Sequence, residues 1–184
     1  MKRKDIDMLL ERAVQEKRLV DIYRSKIDPS YIRGFILGVS PKLILIQWED
    51  NFRLDGYGIL QRKDIDAVQI ADANEYTQTI YRGEGVYDAA MQPDTLENIM
   101  DWQQAFSAAQ AGNEWVSIEC ETLDGGLYFL GKVLDTKKTM VQIAPLNDQG
   151  EMGIPRKLYY KDITCLRFSS HYIRVHAKYI AHSA

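Results

Sequence analysis

Residues 32–49 read IRGFILGVSPKLILIQWE, and this stretch decides what kind of fold the chain adopts. Two short runs rich in aliphatic residues, 32–39 and 43–49, lie on either side of the break Ser40-Pro41. Proline fixes φ, and serine hydrogen-bonds to nearby backbone, so the pair predicts a tight turn between two β-strands. The longest apolar run, residues 43–46, is far too short to span a bilayer as a helix.

Similar β-patterned runs extend outward from this hairpin in both directions. In the first half they cover residues 19–26, 57–61 and 67–70, and in the second half 115–122, 127–134, 140–144, 157–160 and 164–168. Each half also begins with an apolar pattern of helical period. The first predicted helix covers residues 5–17, and the second follows Pro93, with Asp94 and Glu97 as a capping box and Gly112 as its stop.

The two halves repeat one another at a spacing of about 96 to 98 residues. LVDI at 19–22 corresponds to WVSI at 115–118, and KDI at 63–65 corresponds to KDI at 161–163. Tyr76 and Tyr172 stand at the same offset, so the similarity continues beyond the fifth run. The common order of these matches predicts an internal duplication, with domains at residues 1–92 and 93–184. The aromatic segment 72–92 is expected to pack across the junction, and the tail 169–184 is a candidate for a further strand.

A helix followed by five strongly bent strands in about 70 residues resembles the Sm-like small barrel, a relative of the SH3-like barrels. Gly34 and Gly131 fall in the second strand, where such barrels bend sharply and a glycine relieves crowding. LERAVQEKRLVDIY at 10–23 and ILQRKDI at 59–65 also resemble parts of the WYL-type regulatory domains. The resemblance implies a mainly β chain of two tandem five-stranded Sm-like/SH3-like barrels, each preceded by an α-helix. The function of these families transfers poorly to this chain, because DIDAV at 64–68 and DITCL at 162–166 lack the glycine signature of Sm-like RNA chaperones and no helix-turn-helix is evident.

Composition excludes several classes of protein. The 184 residues carry 23 Lys and Arg against 26 Asp and Glu, a balance that opposes broad nucleic-acid binding but permits a local basic patch. The two cysteines, Cys120 and Cys165, have no metal-site spacing. They could meet across a barrel, but the prediction is that both are packed, apolar thiols. No nucleophile, phosphate loop or histidine pair forms a catalytic or metal-binding motif. We therefore expect no enzyme, no cofactor, no metal and no membrane segment, and a cytoplasmic location.

These observations predict a non-enzymatic binding or assembly module that forms a homo-oligomer or binds a protein partner. Small barrels of this type associate edge to edge by strand addition. One alternative is the binding of single-stranded RNA, DNA or a nucleotide by strands that interleave cations with aromatic rings. A second alternative is a small-ligand sensor with a pocket between the halves. The candidate contact residues are Tyr23, Arg24, Lys26, Arg33, Lys157, Tyr159 and Lys161.

Overall fold

The computed structural model describes residues 1–72, 74–90 and 99–180. The chain divides into two compact units, Met1–Asn98 and Ile99–Ala184. The predicted domain boundary after residue 92 and the predicted capping box of Asp94 and Glu97 lie outside the described residues. Both units are mainly β, as the sequence predicts.

The first unit begins with helix α1 (Arg3–Glu16), whose apolar stripe packs on the sheet through Ile6, Leu10 and Ala13. Its strands are β1 (Leu19–Arg24), β2 (Asp28–Val39), β3 (Leu43–Asp50), β4 (Arg53–Gln61) and β5 (Ala67–Ile70). Two helices follow, α2 (Glu75–Gly83) and α3 (Val86–Ala89). Tyr81 and Val86 from these helices join Leu19 and Phe35 of the sheet in one buried cluster. Much of the aromatic segment after β5 therefore belongs to the core of this unit.

The second unit begins with α4 (Trp102–Ala111), which ends at Gly112 as predicted. Its strands are β6 (Trp115–Cys120), β7 (Leu127–Thr136), β8 (Met140–Pro145), β9 (Arg156–Tyr159) and β10 (Cys165–Phe168). The tail forms helix α5 (His171–Ile180), so the alternative of a further strand there is wrong. Ser170 Oγ accepts from the N–H of Ile173, which satisfies a free donor at the start of this helix.

Each unit has five antiparallel strands in the same order, with the fifth strand beside the first. The order is β5-β1-β2-β3-β4 in the first unit and β10-β6-β7-β8-β9 in the second. Among the described residues, β4 does not pair with β5 and β9 does not pair with β10, so backbone pairing closes neither five-stranded set into a barrel.

Backbone details recur at equivalent positions of the two units. A Cβ on Gly34 would lie 2.2 Å from the carbonyl oxygen of Gln47, and a Cβ on Gly131 would lie 2.2 Å from that of Ala144. Three residues after each glycine the strand pairing shifts by one residue, at Leu37 and Leu134. Both second strands therefore combine a close approach with a β-bulge, the two devices that bend a strand. The crowding predicted at both glycines is confirmed.

The equivalence extends to the helices after the fifth strand. Asn74 caps α2 by accepting from the N–H groups of Tyr76 and Thr77, at the position that corresponds to Ser170 before α5. Tyr76 and Tyr172 are both second residues of these helices. Both units therefore have a capped helix after the fifth strand, with a tyrosine as its second residue.

We predict that Gly34→Ala and Gly131→Ala each lower the free energy of unfolding by about 3 kcal/mol or more, because the new Cβ meets backbone that cannot yield locally. Gly83→Ala is the control, since nothing lies within 4 Å of its added Cβ, and it should stay within about 1 kcal/mol of the parent. Urea unfolding followed by circular dichroism measures all three. Equal stability of the three variants would contradict the close approach.

Candidate functional site

The first-half candidate Arg33 is held by a carboxylate directly opposite it in the sheet. Asp21 and Arg33 are cross-strand partners on β1 and β2. Arg33 Nε and Nη2 donate to Asp21 Oδ1 and Oδ2 at 2.7 and 2.8 Å, and this bonding raises the pKa of the guanidinium. Such bidentate, charge-assisted pairs are strong, so an incoming phosphate would have to displace the carboxylate.

Tyr23 lies beside this ion pair on the same face of the sheet. Its ring centroid is 5.9 Å from that of Tyr31, its partner on β2, and the Arg33 guanidinium lies 5.0 Å from the Tyr31 centroid. Arg33 also hydrogen-bonds to Tyr81, and burial with the nearby Glu49 raises the pKa of Tyr81 to about 12. The structure thus brings Tyr23 and Arg33 together, but in a network in which Asp21 holds the cation and Glu49 lies near its partner Tyr81.

Arg24 and Lys26 do not join this network. Arg24 follows Tyr23 in the strand and is only 4% exposed, so its side chain is not accessible to a ligand. Lys26 is exposed and lines a hollow of about 480 Å³ that also contains Lys63, Asp64 and Asp66. The four first-half candidates therefore do not form one positive surface.

The second-half candidates behave differently. Lys157 and Tyr159 alternate on β9, so they share a face, and Tyr159 is 51% exposed. Among the described residues no carboxylate forms an ion pair with Lys157. Lys161 lies in the turn after the strand, with its side chain 79% exposed and its Nζ 3.6 Å from Asp162 Oδ1. Lys157 and Tyr159 are thus a cation and a ring that the protein leaves available.

β9 is also an edge strand, since it pairs with β8 and with no other described strand. The N–H of Tyr160 donates to the carbonyl of Thr139 at 3.0 Å, which sets the phase of the ladder. In an antiparallel pair the hydrogen-bonded positions alternate, so Arg156 and Leu158 direct their N–H and C=O groups toward β8. The backbone groups of Lys157 and Tyr159 therefore point away from the sheet. Ile154, two residues before β9, is 83% exposed and adds apolar surface to this edge.

A groove of about 780 Å³ in the first unit bears on the small-ligand alternative. Its buried Asp72 is 2.8 Å from Arg18 Nη2 and accepts from the Tyr87 hydroxyl at 2.8 Å. Burial, together with this bond to Asp72, raises the pKa of Tyr87 to about 12. Arg82 donates to Gln78 at 2.7 Å. These polar groups pair with one another. Their contacts therefore account for the polar lining of the groove as a network that stabilises the first unit.

The side chains of Cys120 and Cys165 have no exposed surface, which confirms that they are packed. Burial, with smaller contributions from Asp162 and Glu119, raises the pKa of Cys120 to about 11. In the part of the chain that the structure describes, no group of three or more His, Cys, Asp or Glu residues could hold a metal ion.

A second exposed surface, which the sequence does not reveal, lies on α5. Tyr172, Val175 and Tyr179 belong to the tail in which the sequence permits a strand, whereas they lie exposed on this helix. The signal that identifies the helix is the serine cap at Ser170 followed by apolar residues at helical spacing.

The chain matches no protein-family model, no curated protein and no solved structure. None of the described helices combines the length and the hydropathy needed to cross a membrane. Its function must therefore be argued from the surfaces of its own two units.

We predict that Asp21→Asn lowers the free energy of unfolding by about 1–3 kcal/mol, because it removes the charge that holds the Arg33 guanidinium. Asp50→Asn in the same unit is the matched control. Asp50 Oδ2 lies 3.7 Å from Arg53 in a pair whose side chains are 51% and 70% exposed, so the change should cost less than about 0.5 kcal/mol. Thermal unfolding of both variants tests this, and equal losses would contradict a structural role for the Asp21–Arg33 pair.

Both cysteines should be inert toward Ellman's reagent in the native protein at pH 8. The reason is their burial and, for Cys120, a pKa of about 11, which leaves little thiolate at that pH. After unfolding in guanidinium chloride, both thiols should react promptly. Rapid stoichiometric labelling of the native chain would contradict the burial.

Proposed function

We propose that the chain is a non-enzymatic assembly module that associates with a second copy of itself through the outer edge of β9. The observation that supports this most directly is the pair of outward-directed backbone positions, Lys157 and Tyr159, on a strand that pairs on one side only. Unpaired edge groups are a template for strand addition.

Charge selects the register of such a pairing. When two copies of β9 meet in antiparallel fashion about Leu158, Lys157 of each copy lies opposite Tyr159 of the other. Centring on Lys157 places two lysines opposite one another and requires a donor from Pro155, which has none. Centring on Tyr159 places Lys157 opposite Lys161. The register about Leu158 alone avoids both penalties, and it is isologous, as a two-fold dimer requires.

The other expectations from the sequence are themselves supported to different degrees. The recurring glycines, bulges and helix caps support an origin of the two units by duplication. The strand order and the bent second strands support an Sm-like, partly open barrel for each unit. A cytoplasmic location and small-ligand sensing remain predictions. The nucleic-acid alternative remains a prediction for Lys157 and Tyr159, and it is weakened for Arg33 by the Asp21 carboxylate.

Substitutions of opposite charge at Tyr159 test the pairing. Tyr159→Glu places a carboxylate opposite Lys157 of the second copy and should strengthen association, whereas Tyr159→Lys places like charges there and should weaken it. A strand of four residues makes a small interface, so we expect a weak dimer, visible by sedimentation velocity from micromolar to millimolar chain concentration.

Tyr76 supplies the matched control, because it is a tyrosine that is 75% exposed in the first unit. Tyr76→Glu and Tyr76→Lys should leave the association unchanged. A parent chain that stays monomeric at every concentration, or the same response to Glu and to Lys at position 159, would overturn the proposal.

A further inference from the structure

Helix α5 carries cations and no carboxylate. Its ten residues, HYIRVHAKYI, include Arg174, Lys178 and two histidines, and neither Asp nor Glu. The chain as a whole has an excess of acidic residues, so this local composition departs from the average. The helix packs against β6, and Ile173 lies buried on that side.

The exposed side of α5 presents aromatic rings in a row. Tyr172, Val175 and Tyr179 follow one another at helical spacing and are 51%, 39% and 66% exposed. The His176 ring lies 4.5 Å from that of Tyr172. Tyr128 on β7, itself 49% exposed, meets the Tyr172 ring edge to face at 6.3 Å. These contacts fix the orientation of Tyr172 before any ligand binds.

The cations border this row of rings. Arg174 and Lys178 are one helical turn apart, on the side of the helix next to Val175. A guanidinium N–H of Arg174 donates to the carbonyl of Ser169, and the Lys178 Nζ lies 5.8 Å from the Tyr179 centroid. Glu119 is the carboxylate opposite Tyr128 in the sheet, and the Arg167 cation lies near the same tyrosine. Among these described residues, three cations, Arg174, Lys178 and Arg167, border the exposed rings against one carboxylate, Glu119.

The corresponding helix of the first unit lacks this arrangement. On α2, Tyr76 matches Tyr172 and Arg82 matches Lys178, but Glu75, Gln78 and Gly83 stand where α5 has His171, Arg174 and Tyr179. The combination of several rings with cations belongs to the second unit and is not a requirement of the fold.

We propose that the exposed side of α5, together with Tyr128, binds single-stranded nucleic acid, with the tyrosines stacking on unpaired bases and the cations contacting phosphates. Rings next to positive charge are the features that non-specific single-strand binding uses. A lipid surface fits less well, because membrane-surface helices insert large apolar side chains and Val175 is the one aliphatic residue on the exposed side of the described helix. This site is separate from the β9 edge and does not depend on it.

The test is fluorescence anisotropy of labelled single-stranded oligo-U and oligo-dT against the full chain at low salt. Tyr179→Ala should weaken binding about fivefold to a hundredfold, while Tyr179→Phe, which keeps the ring, should retain it. Arg174→Glu should weaken binding and lower its dependence on salt. Circular dichroism of each variant establishes that the fold is kept.

Tyr76→Ala is the matched control on the equivalent helix, and Lys138→Glu is the charge-reversal control at an exposed lysine of the same unit, in the turn before β8. Neither substitution should change the affinity by more than about twofold. A duplex of the same length should bind more weakly, because its bases are already stacked. The proposal is overturned if no single strand binds at low salt, if Tyr179→Ala binds like the parent, or if only anionic phosphatidylserine vesicles bind through Tyr179.

Discussion

The approach of one glycine in each unit to the carbonyl of the neighbouring strand is the constraint on which the rest of the structure depends. At Gly34 and Gly131 the second strand passes so close to the third that no side chain fits. The bulge three residues later then rotates the remainder of the strand. Together they curl a sheet that is otherwise too small to bury a core, and α1 and α4 pack on the second strands of the curled sheets.

The shared backbone leaves the side chains of the two units free to differ. In the first unit, Asp21 and Arg33 face one another across β1 and β2, while the corresponding positions in the second unit are Ser117 and Leu130. The ion pair is thus specific to the first unit, and the backbone that the two units share does not require it. Tyr31 and Tyr128 occupy equivalent positions in the two units. Tyr31 contacts Arg33, whose charge is paired with that of Asp21, whereas Tyr128 contacts Tyr172 of α5. Similar scaffolds therefore carry different surfaces.

The sequence predicts the features that depend on neighbouring residues in the chain. It does not predict those that depend on which residues meet across paired strands. All ten strands were placed because alternation and turn residues act over a few positions. The sequence favours Arg33 as a candidate contact residue because its partner, Asp21, lies twelve residues earlier and meets it only through the strand register. The tail after Ser169 is a candidate strand in the sequence because β-branched and aromatic residues favour strands. In the structure, the cap at Ser170 and the burial of Ile173 favour a helix there.

The two proposed surfaces of the second unit rely on different physics, and this makes them independent. The β9 edge offers backbone hydrogen bonds, which depend on register and are only weakly affected by salt. The α5 surface offers rings and exposed cations, whose attraction for phosphate falls steeply as salt rises. In the first unit the corresponding helix has Gly83 where α5 has Tyr179, and the half-buried Arg33 of the sheet is already paired with Asp21. A net charge of −3 therefore says little about these two surfaces, because their cations, Lys157 on β9 and Arg174 and Lys178 on α5, are local features of the second unit.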